Sequence, residues 1–138
     1  MSLEGKNILI TGAGVRLGRS MALAAARAGA NILLHYGRSQ AGTDQTAHEI
    51  FRSGGRAALI QADLNDPSQV STLVDRAQEF GQLDALVNNA SIFENLDWQA
   101  TSLEDWNRHL MINLTAPFLL SQAFARQLSA GSQGRIVN

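Results

Sequence analysis

Three glycines in one short stretch carry the clearest chemistry in this sequence. Ile8-Leu9-Ile10 leads through Thr11-Gly12-Ala13-Gly14-Val15-Arg16-Leu17-Gly18 into an alanine-rich segment that ends near Gly29. Glycine lets a chain turn tightly and lets a ligand approach the backbone with no Cβ in the way. A helix starting at that point adds unpaired N–H donors and the positive end of its dipole, which suits anionic oxygens. A dinucleotide pyrophosphate is the natural guest. The spacing departs from the common G-x-G-x-x-G turn, because the third glycine falls at Gly18 and Leu17 holds the expected place. The plainer alternative is that the glycines only join a strand to a helix.

A second group of chemical interest is Tyr36-Gly37-Arg38-Ser39. Sheets that bind NAD usually carry an acid at the end of the second strand, accepting from the adenosine ribose hydroxyls, and no acid stands here. Arg38 and Ser39, with Arg16 in the first turn, instead offer charge-assisted donors that can surround a 2′-phosphate. This favours NADP(H) as the cofactor; the alternative for Arg38 is a solvated loop cation. His35, His48 and His109 have no paired ligand spacing, so no metal site is expected and they read as structural or solvated. Trp98 and Trp106 could line a substrate entrance, but the default for rings of that size is burial in a helical core.

The elements that must position these residues alternate along the chain. Asn7 to Thr11 reads as a short strand, and Arg16 to Ala28 as a helix with Leu17, Met21, Ala24, Ala25 and Ala28 at helical spacing, closed by Gly29. Asn31 to Tyr36 is apolar at successive positions, as expected of a parallel strand covered on both faces. A helix from about Ser39 to Arg52, with Ala47, Ile50 and Phe51 inward, stops at Gly54-Gly55 before a strand at Ala57 to Gln61. Asp66 can cap the next helix and Pro67 can occupy its first position. Val70, Leu73, Val74 and Ala77 then fall at i, i+3, i+4 and i+7, and Gly81 precedes a strand at Leu83 to Val87. Thr101 or Ser102 opens a longer helical region holding Trp106, Leu110, Leu114, Phe118, Phe124 and Leu128, where Pro117 removes a backbone donor and bends the axis. Arg135 to Asn138 begins a fifth strand. The pattern predicts an α/β fold with a doubly wound parallel sheet.

Thr11-Gly12 with Gly18 resembles the TGxxxGxG turn of the short-chain dehydrogenase/reductase (SDR) family, with Arg16 where that pattern has its middle glycine. The arginine is similar to the pteridine-reductase branch, and His35-Tyr36-Gly37-Arg38-Ser39 and Asn88-Asn89-Ala90-Ser91-Ile92-Phe93 echo the same branch. The resemblance covers the whole chain. It implies an NAD(P)-binding Rossmann fold in three α/β/α layers, with strand order 3-2-1-4-5, cofactor at the carboxyl ends of the strands, and residues 1–138 forming the N-terminal cofactor-binding portion of one domain, truncated at its fifth strand.

The site residues follow from the same resemblance. Thr11, Gly12, Gly14, Arg16, Leu17 and Gly18 belong to the cofactor turn. Asp63 and Leu64 match a short acidic motif whose carboxylate accepts from the adenine amino group; Asp63 could otherwise only organise its own turn. Asn88 to Ser91 resembles the family's NNAG segment, in which the first asparagine ties neighbouring strands. Asn89, Ala90 and Ser91 are assigned to the cofactor, with Ser91 adding a side chain where glycine leaves space. Phe93 matches a phenylalanine that stacks a pterin opposite the nicotinamide, although Glu94-Asn95-Leu96-Asp97 departs from that segment. Asn113 matches the asparagine of the catalytic Asn-Ser-Tyr-Lys tetrad, whose backbone carbonyl holds a water in a proton relay; the alternative for it is a helix-packing or local hydrogen-bond role. The serine, tyrosine and lysine are expected beyond Asn138, so the 138-residue chain alone is expected to be inactive.

Composition fits this picture. The chain has 45% hydrophobic and 17% charged residues and a formal net charge of −1, with no basic stripe to favour nucleic acid or an anionic membrane. The absence of cysteine excludes disulfides and thiolate chemistry. No apolar run approaches the ~18–20 residues that span a bilayer, and no leader or anchor is visible, so a cytoplasmic protein is expected. The expected activity is NADP(H)-dependent hydride transfer to a carbonyl or pteridine acceptor, in a homo-oligomer, a tetramer by the resemblance. The enzymatic alternative is a 3-oxoacyl-[acyl-carrier-protein] reductase or general ketone reductase. An alternative of another class is a nucleotide-binding regulator without catalysis.

Overall fold

A computed structural model of the chain describes residues 2–138. Five strands, β1 (Asn7–Ile10), β2 (Asn31–Tyr36), β3 (Ala57–Gln61), β4 (Ala85–Val87) and β5 (Arg135–Val137), form one sheet in the order β3-β2-β1-β4-β5. Every pairing is parallel, with Ile8 opposite Ile32 on one side and Ala85 on the other. The order reverses beside β1, between β1 and β4. In sheets of this kind ligands bind outside the carboxyl ends of the strands at that point.

Both faces of the sheet are covered, which is why its inner strands are apolar at successive positions. Ile8, Ile10, Ile32 and Leu34 point to one side and join Ala22 and Leu23 of α1 (Arg16–Arg27) and Ala47 and Ile50 of α2 (Gln40–Arg52). Leu9, Leu33 and Leu86 point to the other side, against Val70, Leu73 and Val74 of α3 (Pro67–Ala77) and Leu120 and Phe124 of α5 (Ala116–Gln127). Each of the valine, leucine, isoleucine and phenylalanine side chains among them contributes about 1.5–3 kcal/mol on full burial. The result is three layers, as the sequence predicts.

Local signals behave as their chemistry requires. Asp66 caps α3 by accepting from the Ser68 amide at 2.9 Å, with Pro67 in the first turn. Bonds from Ser68 and then Gln69 hold the Asp66 carboxyl down to about 2. Ser102 and Asp105 form a reciprocal capping box at the start of α4 (Leu103–Leu110).

Several expectations need correction. The fourth strand is shorter than Leu83 to Val87, beginning at Ala85. Phe51 is exposed, because it falls beside the buried Ile50 on the far side of α2. Trp98 and Trp106 are not core residues, and Leu110, Leu114 and Phe118 are also exposed. Among the described residues no element packs over that side of the helices, whereas Leu120 and Phe124 of α5 meet α3 and the sheet. The long helical region is interrupted ahead of Pro117, not at it: Met111–Thr115 is a π-helical turn, with the Ala116 amide bonded back to Met111. The hydrogen-bond register thus changes just ahead of Pro117, which has no N–H for the Asn113 carbonyl four residues earlier.

Candidate cofactor site

The three glycines of the turn after β1 stand where a side chain would not fit. Gly12 has φ +65°, in the left-handed region, and a Cβ on it would meet the Ala90 Cα at 3.0 Å. A Cβ on Gly14 would lie 2.4 Å from Thr43 Oγ1 and 3.1 Å from the Ser39 carbonyl, so this turn abuts the start of α2. Gly18 is the tightest position, where a Cβ would stand 2.1 Å from the Gly12 carbonyl oxygen. Arg16 has φ +48°, the one non-glycine with positive φ among the described residues. The residue in the place of the family's middle glycine thus keeps a glycine-like backbone and adds a cation. At the start of α1 the amides of Arg16, Leu17 and Gly18 have no preceding helical carbonyls to serve, the usual basis of anion binding at a helix start.

Hydrogen bonds join this turn to the segment after β4. Thr11 is buried and its Oγ1 accepts from the amides of Asn89 at 2.9 Å and Ala90 at 3.0 Å. The Asn89 side-chain amide donates to the carbonyls of Thr11 at 2.8 Å and Gly12 at 3.2 Å. Asn88 faces the other way: its amide nitrogen donates to Ser121 Oγ and Asn138 Oδ1, and its backbone N–H donates to the Val137 carbonyl. The first asparagine therefore ties β4 to the end of β5 and to α5, and the second holds the glycine turn. Leu17 and Phe93 stand in solvent, Phe93 being 89% exposed.

A cleft of about 330 Å³ opens at the carboxyl ends of β1 to β4. Gly12, Arg38, Ser39, Asp63, Leu64, Ala90 and Ser91 line it, so seven of the residues singled out by sequence meet there. The others, Thr11, Gly14, Arg16, Leu17, Gly18, Asn89, Phe93 and Asn113, lie outside that lining, with Thr11, Gly14, Gly18 and Asn89 shaping the turn behind it. Sequence reasoning did not single out His35 as a wall of the cleft, nor Glu94, Arg108 and Ile112. A wider trough of about 720 Å³ lies between α1 and α2, open to solvent and away from the strand ends.

The electrostatics of the cleft are uneven. Arg38 and Arg16 form no ion pair among the described residues, whereas Arg108 is paired with both Glu94 and Asp105. Asp63 Oδ1 accepts from the Asn65 amide at 2.8 Å, so the carboxylate organises its turn while standing in the cleft wall. Asn113 lies in the π-helical turn and pairs with one backbone unit: its Oδ1 accepts from the Ile92 amide at 2.8 Å and its Nδ2 donates to the Ile92 carbonyl at 2.9 Å. Tyr36 is the chain's one tyrosine and is followed at the fourth position by Gln40, so these residues contain no Tyr-x-x-x-Lys pair.

Comparison with known proteins matches this geometry. The short chain dehydrogenase family model matches residues 6–138. A 3-oxoacyl-[acyl-carrier-protein] reductase of Synechocystis is 33% identical over 138 residues, covering 99% of this chain and 56% of the reductase. The solved structure of a short chain dehydrogenase from Burkholderia cenocepacia in complex with NADP superposes with a TM-score of 0.91 at 39% identity, covering 99% of this chain and 55% of that one. FolM alternative dihydrofolate reductase 1 from Brucella canis, complexed with NADP, gives a TM-score of 0.89 at 32% identity over 96% of this chain and 54% of its own. The chain spans about half the length of the curated relatives it matches. In fold, turn and family model alike, it belongs to the short chain dehydrogenase family.

Proposed function

We propose that these residues form the cofactor-binding portion of an NADP(H)-dependent oxidoreductase that transfers hydride to a carbonyl or pteridine acceptor. The observation that carries the cofactor choice is the pair of arginines at the first turn and after β2. Arg16 and Arg38 are exposed and have no carboxylate partner among the described residues, and no acid follows β2 to take the ribose hydroxyls. Two uncommitted guanidinium groups, one of them on the residue before Ser39, suit a 2′-phosphate. NADP in the similar structures from Burkholderia and Brucella supports the same choice.

In this reading the diphosphate lies over the turn between Gly12 and Gly18, and adenine lies in the cleft against Asp63, Leu64, Ala90 and Ser91. Bound nicotinamide supplies the hydride. Phe93, exposed at the mouth of the segment after β4, offers a flat apolar face to a pterin ring. Asn113 positions that segment through Ile92 and presents a backbone carbonyl that Pro117 cannot serve. The serine, tyrosine and lysine that would complete the tetrad are not among these 138 residues, so the chain alone binds cofactor and does not turn over. A 3-oxoacyl thioester is the second acceptor to consider, on the strength of the Synechocystis relative. A cytoplasmic homo-oligomer completes the reading.

NADPH oxidation tests it, with a pterin and a 3-oxoacyl substrate offered to the 138-residue chain and to the same chain continued to its next stop codon. Turnover by the longer chain alone is expected; loss of general-acid assistance costs about 10²–10⁴ in rate. Robust turnover by the 138 residues would overturn the assignment of the chemistry to residues outside them.

A further inference from the structure

His35 is a histidine inside an apolar strand, 2% exposed, and its ring reaches both neighbouring strand ends. The Gly12 amide donates to Nδ1 at 3.2 Å, and Nε2 lies 3.0 Å from the Ala62 carbonyl oxygen. A carbonyl can only accept, so Nε2 carries the hydrogen and Nδ1 is left as the bare acceptor that an amide requires. One neutral imidazole is thereby satisfied at both nitrogens. The backbone of the same residue takes the next amide of the turn, since the His35 carbonyl accepts from the Ala13 N–H at 2.9 Å.

Two consecutive amides of the glycine turn are thus anchored on one residue of β2. This matters because Gly12 holds a left-handed conformation in which an added Cβ would stand 3.0 Å from the Ala90 Cα, and the first turn of α1 begins four residues later. An imidazolium could not replace the neutral ring, because Nδ1–H would then face the Gly12 N–H, donor against donor. Burial pushes the imidazole down to about 4; the Ala62 bond opposes this and the positive charge of Arg76 on α3 adds to it. The other charged groups sharing the cleft with the ring are Arg38, Asp63, Glu94 and Arg108.

We propose that His35 is a positioning residue for the cofactor: through its Nδ1 acceptor it fixes the Gly12 amide and so sets the diphosphate turn in the shape that receives NADP(H). The proposal rests on the reading that NADP(H) occupies the cleft. The amide that His35 holds is not offered to the diphosphate, which is met by the amides at the start of α1.

The experiment compares H35N, H35Q and H35L with the parent by calorimetric titration with NADPH, beside a urea unfolding midpoint for each. Asparagine places a side-chain acceptor near the position of Nδ1, glutamine places its amide near Nε2, and leucine does neither. H35N should stay within about threefold of the parent Kd, while H35Q and H35L weaken binding roughly tenfold, the usual worth of one hydrogen bond, whatever their order of stability. Equal affinity in all variants, or affinity that follows the unfolding midpoint and not the acceptor, overturns the proposal. A folded parent that fails to bind NADPH overturns the cofactor reading and this proposal with it. Should the variants not fold, NMR of the parent decides: a slowly exchanging Gly12 amide with Nδ1 unprotonated at neutral pH is expected. A freely exchanging Gly12 amide, or a protonated Nδ1, overturns the proposal.

Discussion

Replacing Gly18 by alanine sets two well-characterised effects against each other, and the geometry of the turn decides the sign. Gly18 is the third residue of α1, where alanine is favoured over glycine by up to about 1 kcal/mol from helix propensity. The new Cβ would stand 2.1 Å from the Gly12 carbonyl oxygen and 2.5 Å from Asn89 Nδ2, and the nearer of these is backbone. Relief requires the helix to move away from the turn, at an overpacking cost of about 1–3 kcal/mol. It also disturbs the bond from Asn89 Nδ2 to Gly12 O, 3.2 Å long and worth about 1 kcal/mol net. The expected sum is a destabilisation of about 1–3 kcal/mol, with loss of NADPH binding from a displaced first turn. Urea unfolding followed by circular dichroism measures it. Gly37→Ala is the control, because a Cβ there would meet only the Ala62 carbonyl at 3.8 Å and φ is not positive, so that variant should be neutral or slightly stabilised. A Gly18→Ala protein as stable as the parent would refute the close packing of α1 on the turn.

Three further outcomes follow from single residues. Arg16→Gly relieves a positive φ and should leave stability unchanged or raised by up to about 1 kcal/mol while weakening NADPH; a clear loss of stability on urea titration would contradict the strained backbone. His35 is neutral in the fold down to about pH 4 but titrates at 6.5 when unfolded, so the unfolded chain binds a proton that the native state refuses. Its contribution is complete above pH 6.5 and is lost as pH falls from 6.5 to 4, by about 3 kcal/mol at about 1.36 kcal/mol per pKa unit; H35N should flatten that part of the stability profile, and an unchanged slope would remove His35 as its source. Phe93→Ala in an active protein that contains this chain should raise KM for a pterin more than for an aliphatic ketone, since ring stacking contributes about 0.5–1.5 kcal/mol beyond burial; parallel changes for both acceptors would take Phe93 out of the proposed substrate site.

Much of the architecture was legible because its residues face water or core without ambiguity. The successive apolar residues of Asn31–Tyr36 and the i, i+3, i+4, i+7 spacing of Val70, Leu73, Val74 and Ala77 each have one arrangement that buries them. The glycines and the Asn-Asn segment were legible as a turn and its neighbour. That Asn89 spends its amide hydrogens inside the turn was not, since spacing does not show which carbonyls a side chain will meet. Trp106, Leu110, Leu114 and Phe118 were misplaced for a related reason: periodicity marks an apolar face but not whether a partner covers it. The π-helical turn at Met111–Thr115 changes the register between the two halves of that face, and Pro117 and the family resemblance at Asn113 were the hints of it. His35 had a signal that went unused. A histidine within Leu33-Leu34-His35 is buried by its strand, and a buried imidazole needs a partner for each nitrogen.

The choice of cofactor is the claim on which the rest depends, and paired titrations of the chain with NADPH and NADH test it most directly. NADPH should bind more tightly, and Arg38→Ala should narrow the difference by roughly tenfold to a hundredfold, because a charge-assisted hydrogen bond is worth about 1.5–3 kcal/mol. Equal affinities in the parent, or a preference that Arg38→Ala leaves untouched, would contradict the account.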